Sequence, residues 1–391
     1  MTKNILFILS RYPAVGGGIE KVTTYLSNVL QKEGYRVSIL SFSRENTEEN
    51  KYLLPDKGIA VYNTPHGMDD VQNEKNIFYV NKVICDNKID TVIFQDSYSR
   101  ACDILYHLKK VHKLIVVEHN VPTALIDDKV AEFKETRISD RQSLIRKIMF
   151  PVIYFKNVMQ VRNHHRVMYA ISDQYVVLSK SYINTVKRLA CTKDSQHKIL
   201  AINNPVTIDI PNHIDLNNKA KEVLFVGRLV SQKGVDYLLN IWKKFIIREG
   251  NWILRIVGDG PLRSKIEKRI LDEHIKNIIL EGNQKNVGKY YQRSSIVCVT
   301  SRYEGWPLVL VEAMTYGNVT LAFNSYNAVY DIIHNSENGF IINAFDENSY
   351  VDKLLVLTKD KNLRMKMAAN AMESVKRFTM DSIVKQWEEI I

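Results

Sequence analysis

The chain has 391 residues, 45% apolar and 25% charged, with 16 Gly and 9 Pro. This is a globular composition, enough for about two domains at roughly 100–200 residues each, and it excludes disordered, collagen-like and coiled-coil chains. Lys and Arg outnumber Asp and Glu by 54 to 43, a formal charge of +11; that excess suits an anionic partner, whether nucleic acid, a phosphorylated small molecule or an anionic membrane surface.

Ile5-Leu6-Phe7-Ile8-Leu9 is an apolar run of five residues interrupted by Ser10-Arg11. A secretory signal has an apolar core of about 7–15 residues, so the run reads as a first buried strand. The glycine loop Gly16-Gly17-Gly18 follows, then a helix with apolar residues at Ile19, Val22, Leu26, Val29 and Leu30 and Gly34 after its end. Val37–Phe42, Thr91–Phe94 and Leu114–Val117 are short runs of the kind that parallel strands covered on both faces display. Thr192 to Ala220 is polar, carries Asn203-Asn204-Pro205 and Pro211-Asn212, and reads as a hinge. A second series starts at Val223–Gly227 and continues through a helix near Val235–Arg248 to strands at Ile253–Val257, Ile278–Leu280, Ile296–Thr300, Val319–Phe323 and Phe340–Ile342. The tail from Asn362 is helical, and Ile383, Trp387 and Ile390 recur at helical spacing. Two doubly wound α/β domains with parallel sheets follow, over 1–202 and 203–375.

The four cysteines Cys85, Cys102, Cys191 and Cys298 form no CxxC pair, so we expect buried thiols in a reducing cytosol, without disulfides or a structural metal. The longest apolar candidate for a membrane span, Ile148 to Phe155, has eight residues with Pro151 inside, well short of the ~18 that a span needs. Any membrane contact is therefore expected to be peripheral. From 134 to 166, eight Lys or Arg face two acidic residues, Glu135 and Asp140, interleaved with Ile145, Ile148, Met149, Phe150, Val152, Ile153, Tyr154 and Phe155. A basic segment with an apolar stripe suits an anionic membrane face and a lipid-linked substrate; the competing reading is a core helix pair with a solvated basic face. His164 and His165 read as surface residues. No RRM, helix-turn-helix or KH signature accompanies the charge, so nucleic acid is not expected as a partner.

Glu304-Gly305-Trp306-Pro307-Leu308-Val309-Leu310-Val311-Glu312-Ala313-Met314, ending at Gly317, predicts a short apolar helix with Pro307 at its first position and Gly317 just past its end. Glu312 in its middle needs a partner, because burying a bare carboxylate is costly. Sugar hydroxyls are one option; a basic residue across the domain is the other. Free N–H groups behind Pro307 suit a phosphate. Phe225-Val226-Gly227-Arg228-Leu229-Val230-Ser231-Gln232-Lys233-Gly234 ends a buried strand in a loop with two cations five residues apart. Ligands of open α/β sheets bind at such edges, and Arg with Lys suits a diphosphate, although two solvated loop cations are the plainer reading.

Arg228 with Lys233-Gly234, Val257-Gly258-Asp259-Gly260-Pro261, and Glu304 with Glu312-Ala313-Met314 and Gly317, in this order, resemble the retaining nucleotide-sugar-dependent glycosyltransferases of the GT-B fold, family 4. Gly17-Gly18-Ile19-Glu20, Glu118-His119-Asn120 and Asn203-Asn204-Pro205-Val206 extend the resemblance over nearly the whole chain. It implies two Rossmann-like domains with a cleft between them, and a final helix, about 376–391, that packs back on the N-terminal acceptor domain. Arg228 and Lys233 would hold the donor diphosphate and Glu312 the ribose. Glu304 and the backbone of Gly305, Trp306, Pro307 and Leu308 would face the sugar and phosphates. Gly17, Gly18 and Gly258 would border the donor, and His119 the reacting sugar. No Asp-x-Asp signature is present, so neither metal nor cofactor is expected. The implied partners are a nucleotide sugar, UDP-linked in this reading, and a hydroxyl of a glycan or lipid-linked glycan, at the cytoplasmic face. Departures occur at Gly317-Asn318-Val319, where the family has Gly-x-Pro, and at Asn324–Ala328 and Asp331, which put the identity of the sugar in doubt. A nucleotide-sugar epimerase and a catalytically silent glycan-binding subunit are the alternatives; Arg228, Lys233, Glu304 and Glu312 together favour the transferase.

Overall fold

A computed structural model of the chain describes residues 3–11, 17–42, 55–109, 111–135 and 141–391. Gly16, Arg137 and Asp140 lie outside the described residues. The chain divides into two compact units, Met1–Asn203 with Val384–Ile391, and Asn204–Ile383.

The first unit runs β1 (Asn4–Leu9), α1 (Gly18–Lys32), β2 (Arg36–Ser41), β3 (Ala60–Asn63), α2 (Glu74–Asp86), β4 (Thr91–Phe94), β5 (Lys113–Glu118), α3 (Ala124–Glu135), α4 (Arg141–Ile171), β6 (Gln174–Val177), α5 (Lys180–Leu189) and β7 (Ile199–Ala201). Its sheet is parallel, in the order β3-β2-β1-β4-β5-β6-β7. The second unit runs β8 (Ala220–Val226), α6 (Val235–Ile246), β9 (Ile253–Val257), α7 (Arg263–Asp272), β10 (Ile278–Gly282), α8 (Gly288–Arg293), β11 (Ser294–Val299), α9 (Leu308–Thr315), β12 (Val319–Phe323), α10 (Val329–Ile332), β13 (Gly339–Ile342), α11 (Glu347–Lys359) and α12 (Lys361–Ser374). Its sheet, also parallel, is β10-β9-β8-β11-β12-β13. The last helix, α13 (Met380–Glu388), buries Ile383, Val384 and Trp387. Within the first unit, Lys3 Nζ donates to the Ile391 carbonyl at 3.0 Å.

Both sheets reverse their direction of growth beside their first strand, β1 lying between β2 and β4, and β8 between β9 and β11. Such a switch point opens a crevice at the carboxyl ends of the strands. Central strands are buried because helices cover both faces: Ile5 to Leu9 and Thr91 to Phe94 are buried throughout, and the charged exceptions in the second sheet, Glu222 and Arg255, pair with each other at 3.0 Å. Sequence reading missed β3, β6 and β7. β3 is a half-exposed edge strand, and β6 and β7 are four and three residues long. The expectation that all four cysteines are buried fails: Cys298 is buried, Cys102 half-buried, and Cys85 and Cys191 exposed.

Gly234 joins the cation loop to α6 in the left-handed conformation, φ +61°. A Cβ there would stand 2.0 Å from the Thr300 carbonyl oxygen, which belongs to the segment after β11. Gly234→Ala should therefore destabilise the second unit by roughly 2 kcal/mol or more. A urea-unfolding midpoint equal to that of the wild type would contradict this.

Candidate active site

The cation loop leaves β8 at the switch point of the second unit. Leu229 anchors it: the side chain is buried, its N–H donates to the Asp259 carbonyl at 2.9 Å, and its carbonyl accepts from the Leu262 N–H at 3.0 Å. The Gly258-to-Pro261 turn thus braces the loop, with Gly258 at φ +134° donating its N–H to the Gly282 carbonyl at 2.8 Å. Pinning Leu229 inward leaves the neighbouring Arg228 exposed, its guanidinium with no hydrogen bond or ion pair to the described residues.

Lys233 ends a single 3-10 turn, Ser231–Lys233. Its Nζ lies 2.6 Å from Glu304 Oε1, which also accepts from Ser301 Oγ at 2.6 Å. Both members are largely buried, 21% and 10% exposed at the side chain, so each depends on the other for charge compensation. The loop after β11 is tied to that 3-10 turn. The Arg302 N–H donates to the Gln232 carbonyl at 2.7 Å, Gln232 Nε2 to the Tyr303 carbonyl at 3.2 Å, and the Arg302 guanidinium to the Ser231 carbonyl at 2.6 Å. Arg302 also grips Asp236 through both terminal nitrogens, at 3.0 and 2.9 Å. The pair is therefore held before any ligand arrives.

Gly305, Trp306 and Pro307 are buried, and Leu308 is half-buried. Pro307 is the N-cap residue, with ψ 88°, and α9 begins at Leu308, one residue later than expected. A proline has no N–H to lose in either place. No side chain caps α9, so its first N–H groups and positive dipole end remain for an anion. The Trp306 indole N–H is buried without a hydrogen-bond partner among the described residues, its ring edge-on to Phe378 at 5.1 Å. At the C-terminal end, Gly317 (φ +65°) and Asn318 return N–H bonds to Met314 and Ala313, as the sequence implied for Gly317. Glu312 is buried on α9 and accepts from Tyr291 Oη at 3.1 Å and Thr207 Oγ1 at 3.3 Å. Burial and the Glu312 charge push the Tyr291 pKa well up, so this phenol stays a donor.

The switch point of the first unit instead gathers two carboxylates, Asp96 and Glu20, with Arg11 close enough to act on both. Ser10, after β1, donates to Asp96 after β4. Glu20 is buried on α1 and accepts from the N–H groups of Gly17 and Glu20 itself, and burial raises its pKa. Gly17 has ordinary extended backbone, φ −100°, but a Cβ there would meet Glu20 Oε2 at 2.0 Å. In this structure the N-terminus of α1, which starts at Gly18, thus holds its own carboxylate. After β5, His119 Nε2 is 2.5 Å from Gln95 Oε1, which puts the proton on Nε2 and leaves Nδ1 an acceptor; burial draws the His119 pKa down to about 3, so the ring is neutral.

Behind it Glu118 is fully buried, taking hydrogen bonds from Ser97 Oγ at 2.9 Å, the Asn120 N–H at 3.0 Å and Tyr175 Oη at 3.4 Å, with its pKa raised to about 8 by desolvation. His165 continues this network. It is fully buried between Tyr175 Oη at 2.7 Å, the Pro122 carbonyl at 2.9 Å and Tyr98 Oη at 3.0 Å, and His164 stacks on Tyr98 at 4.8 Å. The surface reading of both histidines is therefore wrong. They lie on the face of α4 turned to the domain, where partners distant in sequence satisfy His165 and Tyr98 stacks on His164, whose Nε2 has no hydrogen-bond partner among the described residues.

Arg228, Lys233, Gly258, Glu304 and the 305–308 segment thus share the second unit's strand edge, with Glu312 on α9. Gly17, Gly18 and His119 lie at the corresponding edge of the first. Sequence reading missed Thr207, Tyr291, Ser301, Gln95 and Asp96. Among the described residues no cluster of three or more His, Cys, Asp or Glu is arranged to hold a metal ion.

Residues 207–374 match the family described as Glycosyl transferases group 1, so the second unit carries a group 1 glycosyltransferase domain. The whole chain is similar to bacterial glycosyltransferases. It is 27% identical over 381 residues, covering 96% of both chains, to an uncharacterized glycosyltransferase of Haemophilus influenzae. It is 26% identical over 382 residues, 96% of this chain and 95% of the other, to the GalNAc-alpha-(1->4)-GalNAc-alpha-(1->3)-diNAcBac-PP-undecaprenol alpha-1,4-N-acetyl-D-galactosaminyltransferase of Campylobacter jejuni. Among solved structures it resembles Staphylococcus aureus TarM in complex with fondaparinux, alpha-GlcNAc-glycerol and UDP, with TM-score 0.77 and 16% identity over 100% of this chain and 99% of the other. Anabaena HepE with UDP and glucose gives TM-score 0.74 and 14% identity over 99% of each chain. The fold is GT-B, and residues 207–374 form a domain of the group 1 glycosyltransferase type within a chain that resembles glycosyltransferases over its whole length.

The histidines of the first unit, His165 buried and His119 and His164 half-buried, generate a pH test. His119, His164 and His165 have pKa values lowered to about 3, 4 and 4 from 6.5. Between those values and 6.5 the unfolded chain binds more protons, so stability falls as pH drops through 6.5 toward 4. Glu118, raised from 4.5 to about 8, opposes this, as do Glu20 and Asp96, also raised by burial; the stability each contributes is lost as pH rises. The histidine share is read by difference: between pH 6.5 and 4.5 the wild-type urea midpoint should drop relative to that of a His164→Gln variant, and a constant difference between the two would contradict the assignment.

Proposed function

We propose that this chain is a retaining, metal-independent glycosyltransferase that moves a hexosyl or N-acetylhexosaminyl group from UDP to a hydroxyl of a glycan, lipid-linked in the fullest form of the reading, during bacterial surface polysaccharide or glycoconjugate synthesis at the cytoplasmic face. The observation that carries it is the Lys233–Glu304 pair at 2.6 Å beside exposed Arg228 and the uncapped end of α9. Two cations and a helix dipole converge where a leaving diphosphate gains charge, and preorganised charge of this kind stabilises a transition state without reorganisation. Arg228 forks onto phosphate oxygens, Lys233 adds a point charge, and Glu312 accepts from the ribose hydroxyls. Glu304 and the 305–308 backbone face the sugar. Neutral His119 offers Nδ1 to a hydroxyl of the reacting sugar, and the acceptor attacks from the face the diphosphate leaves.

Glu304 is an acid beside a phosphate site, tolerable because Lys233 neutralises it. Lys233→Ala should therefore weaken UDP binding by roughly thirtyfold, about 2 kcal/mol, both by losing a phosphate contact and by unmasking the carboxylate. Adding Glu304→Ala should restore part of that loss. Calorimetry showing unchanged UDP affinity in Lys233→Ala, or a double variant worse than the single one, would remove the pair from the donor site.

Glu304→Gln should lower turnover by more than tenfold while changing UDP affinity little, since the role assigned to it is toward the sugar. Equal losses in both would count against that role. Thermal shifts with UDP, GDP and ADP and their sugars should show stabilisation with the uridine set alone; donor binding without product in any acceptor screen would favour a silent glycan-binding subunit instead.

A further inference from the structure

Helix α4 has two apolar faces, and the protein covers one of them. Toward the domain, Val161, His165 and Met168 are buried, and Val161 packs with Ile126 and Leu189. On the opposite side Ile145, Ile148, Met149, Val152, Phe155 and Met159 are each between 44% and 67% exposed. Their spacing, i, i+3, i+4, i+7, i+10 and i+14, places all six within an arc of about 120°. Isolated exposed apolar residues are ordinary, but a continuous stripe over four helical turns is not.

The charge on this helix narrows what the stripe meets. Its 31 residues include six Lys or Arg and no Asp or Glu. Lys156 and Arg166 lie on the same face as the stripe, both exposed and with no ion pair to the described residues. Arg162, at the edge of that face, contacts Cys191 Sγ at 2.8 Å. A second copy packed about a two-fold axis would set this cationic helix against itself. An anionic bilayer answers both features: apolar side chains enter the acyl boundary while Lys and Arg stay with the phosphates. No helix of the described residues is long and apolar enough to cross a membrane, so the contact is parallel to the surface.

We infer that the outward face of α4, Ile145 to Met159 with Lys156 and Arg166, is a docking surface for an anionic lipid bilayer. The inference stands apart from the transferase reading, because its readout is binding and requires no turnover. The full chain should co-sediment with vesicles of equal parts phosphatidylcholine and phosphatidylglycerol, and not with phosphatidylcholine alone, and added salt should weaken the binding. Ile148→Ser with Phe155→Ser, and separately Lys156→Glu with Arg166→Glu, should each reduce binding roughly tenfold or more. All four positions are exposed, so circular dichroism and the melting temperature should stay at wild-type values; Phe155→Leu should keep most of the binding. Absent sedimentation of the wild type, or both double variants binding like it, overturns the proposal. So does a dimer in sedimentation velocity that Ile148→Ser with Phe155→Ser dissociates, which would assign the stripe to a second copy.

Discussion

The ion pair between Lys233 and Glu304 organises the second unit. It joins the loop leaving β8 to the loop leaving β11 across the point where the sheet reverses. The surrounding contacts serve to hold those two loops in register: Leu229 buried between Asp259 and Leu262, the Arg302 and Gln232 cross-links, and the glycine fit of residue 234 under Thr300. A partly buried pair gains little net stability because desolvation offsets attraction. Its value here is positional, fixing a charge pattern before ligand binding instead of assembling it afterwards.

The two units repeat one topology with different electrostatics. At the switch point of the second, cations and an uncapped helix end meet. At that of the first, Asp96 and Glu20 gather, and the end of α1 is already satisfied by the Glu20 carboxylate. Next to it, the Glu118, Tyr175, His165 and Tyr98 network builds a polar interior in which every named member has a partner; in a low dielectric such a network is rigid when satisfied.

How much of this could be read beforehand follows from sequence distance. The strand series, the reversal into a second series and the α9 helix with Glu312 and Gly317 were legible because each depends on residues within one loop or one helix. Arg228 and Lys233 share a single loop. Glu312, by contrast, is satisfied by Thr207, 105 positions away, and Glu118 by Tyr175, 57 positions away; no local pattern announces such partners. His165 was misread for the same reason, since α4 is apolar on two sides and its amphipathic signal cancels. β3, β6 and β7 were missed because their runs of β-branched and aromatic residues are shorter than that of β4: β3 ends in Asn63, β6 opens with Gln174 and β7 has three residues.

The uncovered stripe on α4 also governs how the protein behaves in a test tube. Six apolar side chains facing water lower solubility, and what keeps copies apart is mutual repulsion from the +11 charge. That repulsion reaches about 10 Å at 0.1 M salt and about 3 Å at 1 M. Raising the salt therefore shortens the repulsion that holds these apolar faces apart, and excluded salts such as sulfate strengthen their attraction as well.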